Sequence, residues 1–393
     1  MQKILFIMQQ KRSFLVYTFW LIFLFMFRLF LFPFRSRGKY LVISRTDHLG
    51  DMLCSIPMLD AFCHYAKANN LKTALLVAPA NEYIARNLLH FDKIIFIEKQ
   101  RSFRDITYRL KCFSEIFSMR IKIFINCVDN DVNAFYGAFS FAEKVLAAKS
   151  DGPEYPLLTL LSKRYSSIFK YEKNQHIFQR NSGLFRAATG KELPLQVQNI
   201  KEKTALLPFP ESAINLEKGK YIILFPGASY FLTCYPPEKY AVVLQYILKE
   251  FPEYKIVIAG SEEDTAREKV IAEALAGGRE RLLLLCGKTA LVELFPLTAN
   301  AACVIGNDSG GIHLAEALEI PSVALVSGAT YGYYMPNPCY KYTCFLYHFR
   351  ECFQCDGICS KSNAERPCLL SITPEEVFTA VRDILSKKDL ADG

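Results

Sequence analysis

Two short stretches of this 393-residue chain concentrate side chains able to act on a phosphorylated ligand. The first, 304–318, reads Val-Ile-Gly-Asn-Asp-Ser-Gly-Gly-Ile-His-Leu-Ala-Glu-Ala-Leu, an apolar strand ending in a glycine-rich turn that opens straight into a helix. Gly310 and Gly311 let the backbone approach a ligand closely, and Ser309 offers a hydroxyl. The helix start adds free N–H groups at the positive end of its dipole. That combination suits a phosphate. Asp308 would repel a phosphate unless it serves another partner, such as a sugar hydroxyl, so its presence argues for a sugar-bearing phosphate. The plain alternative is that Asp308 and Ser309 only cap the helix, with His313 a packed helix residue.

The second stretch, 44–57, reads Ser-Arg-Thr-Asp-His-Leu-Gly-Asp-Met-Leu-Cys-Ser-Ile-Pro and again runs strand, turn, helix. Asp51 sits at the helix entrance, where a capping carboxylate is favourable by about 0.3 to 1 kcal/mol. A cap seldom comes with Arg45, Asp47 and His48 crowded into one turn, so Asp51 is a candidate general base for an acceptor hydroxyl. Arg45 is the candidate clamp for anionic acceptor groups. Two weaker segments follow. Phe-Pro-Gly-Ala-Ser at 225–229 allows a tight turn and puts Ser229 within reach of a phosphate, and Ser-Glu-Glu-Asp at 261–264 follows a strand end with carboxylates suited to a ribose diol.

Positioning these groups requires strand–helix alternation. After Gly38, short aliphatic runs separated by helical stretches predict parallel sheets with crossover helices. Strands are expected at 40–44, 73–78, 93–97 and 121–126, then at 221–225, 255–259, 282–286, 303–305 and 323–326. Helices are expected at 52–68, 101–117, 237–250, 265–275 and 311–318. A weakly periodic stretch holding Pro194, Pro208 and Pro210 separates the halves, which open alike with Lys39-Tyr40 and Lys220-Tyr221. The expected organisation is a hydrophobic segment at 1–38, a Rossmann-like acceptor domain at 39–205 and a Rossmann-like donor domain at 206–393. Ligands of such sheets sit beyond the carboxyl ends of the strands, so a cleft between the domains is the expected site. Thr373-Pro-Glu-Glu reads as a helix N-cap, and that last helix is expected to pack back across the domains.

With 51% hydrophobic and 22% charged residues the chain is too apolar to be disordered. Thirteen scattered cysteines disfavour a secreted disulfide framework. The net charge of +8 suits phosphorylated ligands or an anionic membrane, and no motif points to nucleic acid. Residues 14–34 are apolar and aromatic except for Arg28, with basic flanks, and so are expected to span a bilayer or lie in its interface. Among Cys339, Cys344, Cys352, Cys355, Cys359 and Cys368, the Cys352-x-x-Cys355 pair has metal-ligand spacing, with Cys359 and Cys368 as further candidates. A structural zinc or iron–sulfur cluster there stands against reduced, packed thiols.

The ordered set of Asp47-x-x-Gly50-Asp51, Pro226-Gly227-Ala228-Ser229 and Asp308-Ser309-Gly310 with His313-Leu-Ala resembles glycosyltransferase family 9, over about residues 39 to 380. The resemblance implies a GT-B fold and an inverting, metal-independent transfer from a nucleotide diphosphate sugar, ADP-heptose or similar, to a lipid-linked saccharide of the lipopolysaccharide core. That places the protein at the cytoplasmic face of the inner membrane, with no cofactor needed for catalysis. By motif, Asp51 is similar to the family's base and Asp308 to the aspartate near the donor sugar. Ser229, Ser309, Gly310 and His313 match diphosphate contacts, and Asp264 matches the ribose ligand. The family commonly has a lysine two residues before a Trp-Pro pair; Thr233 precedes Tyr235-Pro236 here, and Lys239 or a basic residue of the first domain is expected to replace that charge. A degenerate, membrane-bound nucleotide-sugar-binding protein, or another GT-B enzyme such as an epimerase, are the alternatives.

Overall fold

The computed structural model describes residues 38–128, 130–150, 166–172, 174–194, 200, 204, 207, 215–228, 233–338, 340–355, 359 and 366–392. The apolar segment 14–34, Ser229, Cys339 and most of the predicted linker lie outside them. Among the described residues no helix is long and apolar enough to cross a membrane. The chain divides into two compact units: Met1–His48, Ser55–Lys173 and Phe178–Gln196 in one, and Leu49–Cys54, Asn174–Ile177 and Val197–Gly393 in the other.

The first sheet is built from β1 (Tyr40–Arg45), β2 (Lys72–Val77), β3 (Lys93–Phe96), β4 (Ile121–Asn126), β5 (Lys144–Ser150) and β6 (Ser167–Tyr171). Its six strands run in the order β3-β2-β1-β4-β5-β6, and every neighbouring pair is parallel. Crossovers are made by α1 (Leu49–Ala68), α2 (Glu82–Asn87), α3 (Lys99–Arg104), α4 (Ile106–Ser118) and α5 (Asp131–Phe139), with α6 (Ile177–Thr189) after the last strand. The single helix expected at 101–117 is two. Asp105 leaves the helical region at φ −110 and ψ 106, and its carboxylate accepts from the Tyr108 N–H at 2.9 Å, so it ends α3 and caps α4.

The second sheet contains β7 (Tyr221–Phe225), β8 (Lys255–Ile258), β9 (Leu282–Leu284), β10 (Cys303–Asn307), β11 (Ser322–Leu325) and β12 (Thr343–Leu346). Its six strands follow β12-β11-β10-β7-β8-β9, again all parallel. The helices are α7 (Pro237–Glu250), α8 (Thr265–Ala274), α9 (Leu291–Ala299), α10 (Gly310–Ala317), α11 (Pro367–Leu370) and α12 (Pro374–Asp392). Numbered within its own half, each sheet has the 3-2-1-4-5-6 order of a doubly wound fold, whose direction reverses between β1 and β4 and between β7 and β10. These are two α/β layers of the GT-B kind. Strands β7 and β10 are buried at every residue, as crossover helices on both faces demand. Val377, Val381 and Leu385 pack into the core formed by α7 and the second sheet, so α12 belongs to the second unit. Its start is a capping box, with Thr373 Oγ1 accepting from Glu376 N and Glu376 Oε2 from Thr373 N.

Candidate functional site

The reversal in strand order puts the loops after β7 and β10 side by side, and both carry residues singled out by sequence. Asn307, fully buried at the end of β10, ties them together. Its Nδ2 donates to the carbonyls of Pro226 at 2.9 Å and Gly227 at 3.3 Å, while Oδ1 accepts from Tyr235 N at 2.9 Å and Tyr240 Oη at 3.1 Å. All four hydrogen-bonding positions of a buried amide are thereby used. Sequence reasoning passed over Asn307, although it directly precedes Asp308.

Ser309 is the N-cap of α10 by backbone conformation, yet its side chain makes no capping hydrogen bond. The hydroxyl oxygen is buried with no partner. Asp308 does not cap either, because its Oδ2 accepts from Thr330 Oγ1 at 2.9 Å. Burial pushes the Asp308 carboxyl up to about 7; the Thr330 hydrogen bond opposes this and the negative charge of Asp51 adds to it. Gly311 is required for packing, since a Cβ there would run into the Phe225 ring. Gly311→Ala is expected to cost about 1–3 kcal/mol by overpacking and to displace the start of α10, read as a lowered melting temperature.

The first turn of α1, Leu49–Cys54, groups with this same unit. A Cβ on Gly50 would lie 3.0 Å from the His313 ring and one on Gly310 would lie 3.3 Å from Leu49 Cδ2, so two glycines let the starts of α1 and α10 meet. Asp51 is thereby brought to the Asp308–Ser309 turn. Its Oδ1 accepts from the Tyr334 hydroxyl at 2.7 Å, and the Tyr334 carbonyl is 3.1 Å from His176 Nε2. His313 is buried, which drives its pKa down to about 4; Asp51 opposes the shift and His176 adds to it. The neutral ring meets the Tyr340 hydroxyl at Nδ1, 2.6 Å away, and its Nε2 lies 3.8 Å from Asp308 Oδ1. Tyr334, Thr330 and Tyr340 were missed by sequence reasoning because their segment carries no motif.

Other expected residues are placed less openly. Arg45 has a side chain only 1% exposed, with Nε 3.2 Å from Asp47 and Nη1 donating to the Cys127 carbonyl at 3.4 Å. It is a core ion pair bracing the turn before Asp51, not a surface clamp. Asp264 is also buried: Oδ2 accepts from Ser261 N and Oγ, both at 2.9 Å, and Oδ1 from Arg267 Nη1 at 3.1 Å. Its neighbours Glu262 and Glu263 are the exposed carboxylates. Lys239 does not replace the lysine that Thr233 lacks, because its ammonium donates to the carbonyls of Leu370 and Ile372 at 2.6 and 3.3 Å. Arg267 and Arg366 instead surround Cys234, and Arg366 Nη1 donates to the Cys234 carbonyl at 3.1 Å. Among the described residues no group of three His, Cys, Asp or Glu side chains is arranged to hold a metal, so Cys352, Cys355, Cys359 and Cys368 are not gathered as ligands.

The family model described as glycosyltransferase family 9 (heptosyltransferase) matches residues 157–355, just over half of the chain. The chain belongs to glycosyltransferase family 9. A curated relative, lipopolysaccharide heptosyltransferase 1 of Campylobacter coli, is 30% identical over 177 residues, 43% of this chain and 51% of that protein. The match thus spans about half the length of the relative. The solved E. coli ADP-heptose LPS heptosyltransferase II has a TM-score of 0.68 at 18% identity, covering 89% of this chain and 99% of that one. An E. coli heptosyltransferase solved with ADP-2-deoxy-2-fluoro heptose has a TM-score of 0.62 at 17% identity, covering 88% and 99%. At these identities the structures establish a shared fold.

Proposed function

We propose that the protein is an inverting, metal-independent glycosyltransferase that moves a sugar, heptose in the first instance, from a nucleotide diphosphate donor to a lipid-linked saccharide of the lipopolysaccharide core. The observation that carries this reading is the unpartnered, buried Ser309 hydroxyl at the start of α10, flanked by Asp308 and reached by Asp51. The diphosphate accepts hydrogen bonds from Ser309 Oγ and the first N–H groups of α10, where the helix dipole favours negative charge. Asp308 accepts from a hydroxyl of the donor sugar. An acceptor hydroxyl gives its proton to Asp51 as its oxygen bonds to the anomeric carbon; the bond to the diphosphate breaks with its electron pair, and a single displacement inverts the configuration. The E. coli relative with ADP-2-deoxy-2-fluoro heptose makes ADP the nucleotide to try first. We place the enzyme at the cytoplasmic membrane face, where such an acceptor is available.

Tyr334 orients Asp51 through the hydrogen bond to its Oδ1. Tyr334→Phe is expected to lower kcat by about tenfold with little change in donor KM, read from steady-state kinetics. Arg366 donates to the Cys234 carbonyl in the Thr233–Cys234 segment that we assign to the departing phosphate, and Arg366→Gln should raise donor KM. A panel of ADP-, UDP- and GDP-sugars tests the donor reading. At about 100 times Kd the correct one should stabilise the protein by about 2.7 kcal/mol, seen as a rise in Tm that Ser309→Ala reduces. No shift with any of them would remove the proposal.

A further inference from the structure

The amino ends of the first sheet carry a row of cations that the transfer reaction does not use. Lys72, Lys93 and Lys144 open β2, β3 and β5, Lys39 and Arg120 directly precede β1 and β4, and Lys122 is the second residue of β4. Because every strand pair is parallel, with Tyr40 opposite Lys72 and Ile121, Ala74 opposite Lys93 and Ile123 opposite Lys144, all six lie along one edge of the sheet. Five are exposed, and Lys93 keeps a third of its side chain exposed.

Among the described residues three carboxylates share this edge, and each has a local task. Glu143 accepts from Gly38 N at 2.6 Å, Asp92 accepts from Thr73 N and Oγ1 at 2.7 and 2.9 Å, and Glu115 lies 4.0 Å from Lys93. Cations therefore exceed anions. Neighbouring strands are only about 4.8 Å apart, so a row of like charges here costs folding free energy unless an anionic surface faces it.

The chain enters at the same edge. Gly38 packs so closely on the backbone of Lys122 that a Cβ would collide with it, which fixes the point where the polypeptide arrives from residues 14–34. Three residues lie between Phe34 and Gly38, a reach of at most about 14 Å. An apolar stretch seated in a bilayer would hold this edge at headgroup depth. We propose that the lysine rim docks the first unit onto the headgroups of an anionic bilayer, as a second attachment beside residues 14–34. A six-residue strand spans about 20 Å, so docking by this edge leaves the carboxyl ends of the strands clear of the surface.

Flotation of the full chain with phosphatidylcholine vesicles, with and without about 30% phosphatidylglycerol, tests this, since each basic residue near such a surface adds about fivefold to partitioning. The triple variant Lys72→Gln, Lys122→Gln, Lys144→Gln should lose about 100-fold in binding to the anionic vesicles and nothing on the neutral ones. The same three positions changed to Arg should bind like the parent, and Lys191→Gln, Lys249→Gln, Lys269→Gln, elsewhere on the surface, should too. The proposal is overturned if the first variant binds anionic vesicles within about twofold of the parent, or if the control set loses as much.

Discussion

Asp51→Asn is expected to lower turnover by about 10²-fold or more while leaving donor affinity close to that of the parent. The amide has nearly the same shape, and its oxygen can still accept from the Tyr334 hydroxyl that holds Asp51 at 2.7 Å. What is lost is the ability to take a proton from the acceptor. A second signature follows from the neighbouring carboxyl. The charge of Asp51 is one reason Asp308 titrates high, so removing it should move the Asp308 titration down. Single-turnover rates together with donor titration separate the two effects, and a rate close to that of the parent would dismiss Asp51 as the base.

Asp308→Asn should stabilise the protein and slow it. The folded-state pKa of Asp308 is raised to about 7 from 3.8, so the native state holds a proton that the unfolded chain has released across that interval. Stability therefore falls as pH rises from about 4 to about 7, and the full penalty stands above 7. Asn cannot ionise and can still accept from Thr330. The Tm of the variant should match the parent near pH 4 and exceed it by about 5 °C at pH 8. His313 works in the opposite sense. Its folded pKa, lowered to about 4 from 6.5, gives stability that is present above 6.5 and lost as pH falls toward 4. The two slopes offset each other over one window, so the variant should also expose an acid-side loss that the parent conceals. Its turnover should drop by about 10²-fold, because the carboxylate assigned to the donor sugar is gone.

Much of the scaffold is legible in the sequence, because parallel strands buried on both faces read as unbroken aliphatic runs. Tyr221–Phe225 is an example. Strands β5, β6 and β12 are not legible: Lys144–Ser150 has paired alanines, and Ser167–Tyr171 and Thr343–Leu346 are half-buried sheet edges without a clean pattern. The site shows the same division. Glycine-rich turns after β7 and β10 announce themselves because only glycine allows Gly311 to pass Phe225 and Gly227 to pass the Asp264 carboxylate. Which way a polar side chain faces is set by tertiary packing. Arg45 turns inward to Asp47, Asp264 is consumed by Ser261 and Arg267, and Tyr334 reaches Asp51 from 283 residues away along the chain.

The central claim is that a sugar leaves a diphosphate held at Ser309 and joins an acceptor activated by Asp51. Mass spectrometry of a lipid-linked core saccharide incubated with the protein and ADP-heptose tests it most directly. The expected result is an acceptor heavier by one sugar, with one nucleoside diphosphate released for each transfer and both signals lost in Asp51→Asn. An unchanged acceptor despite donor binding, or a sugar altered without any acceptor present, would contradict it.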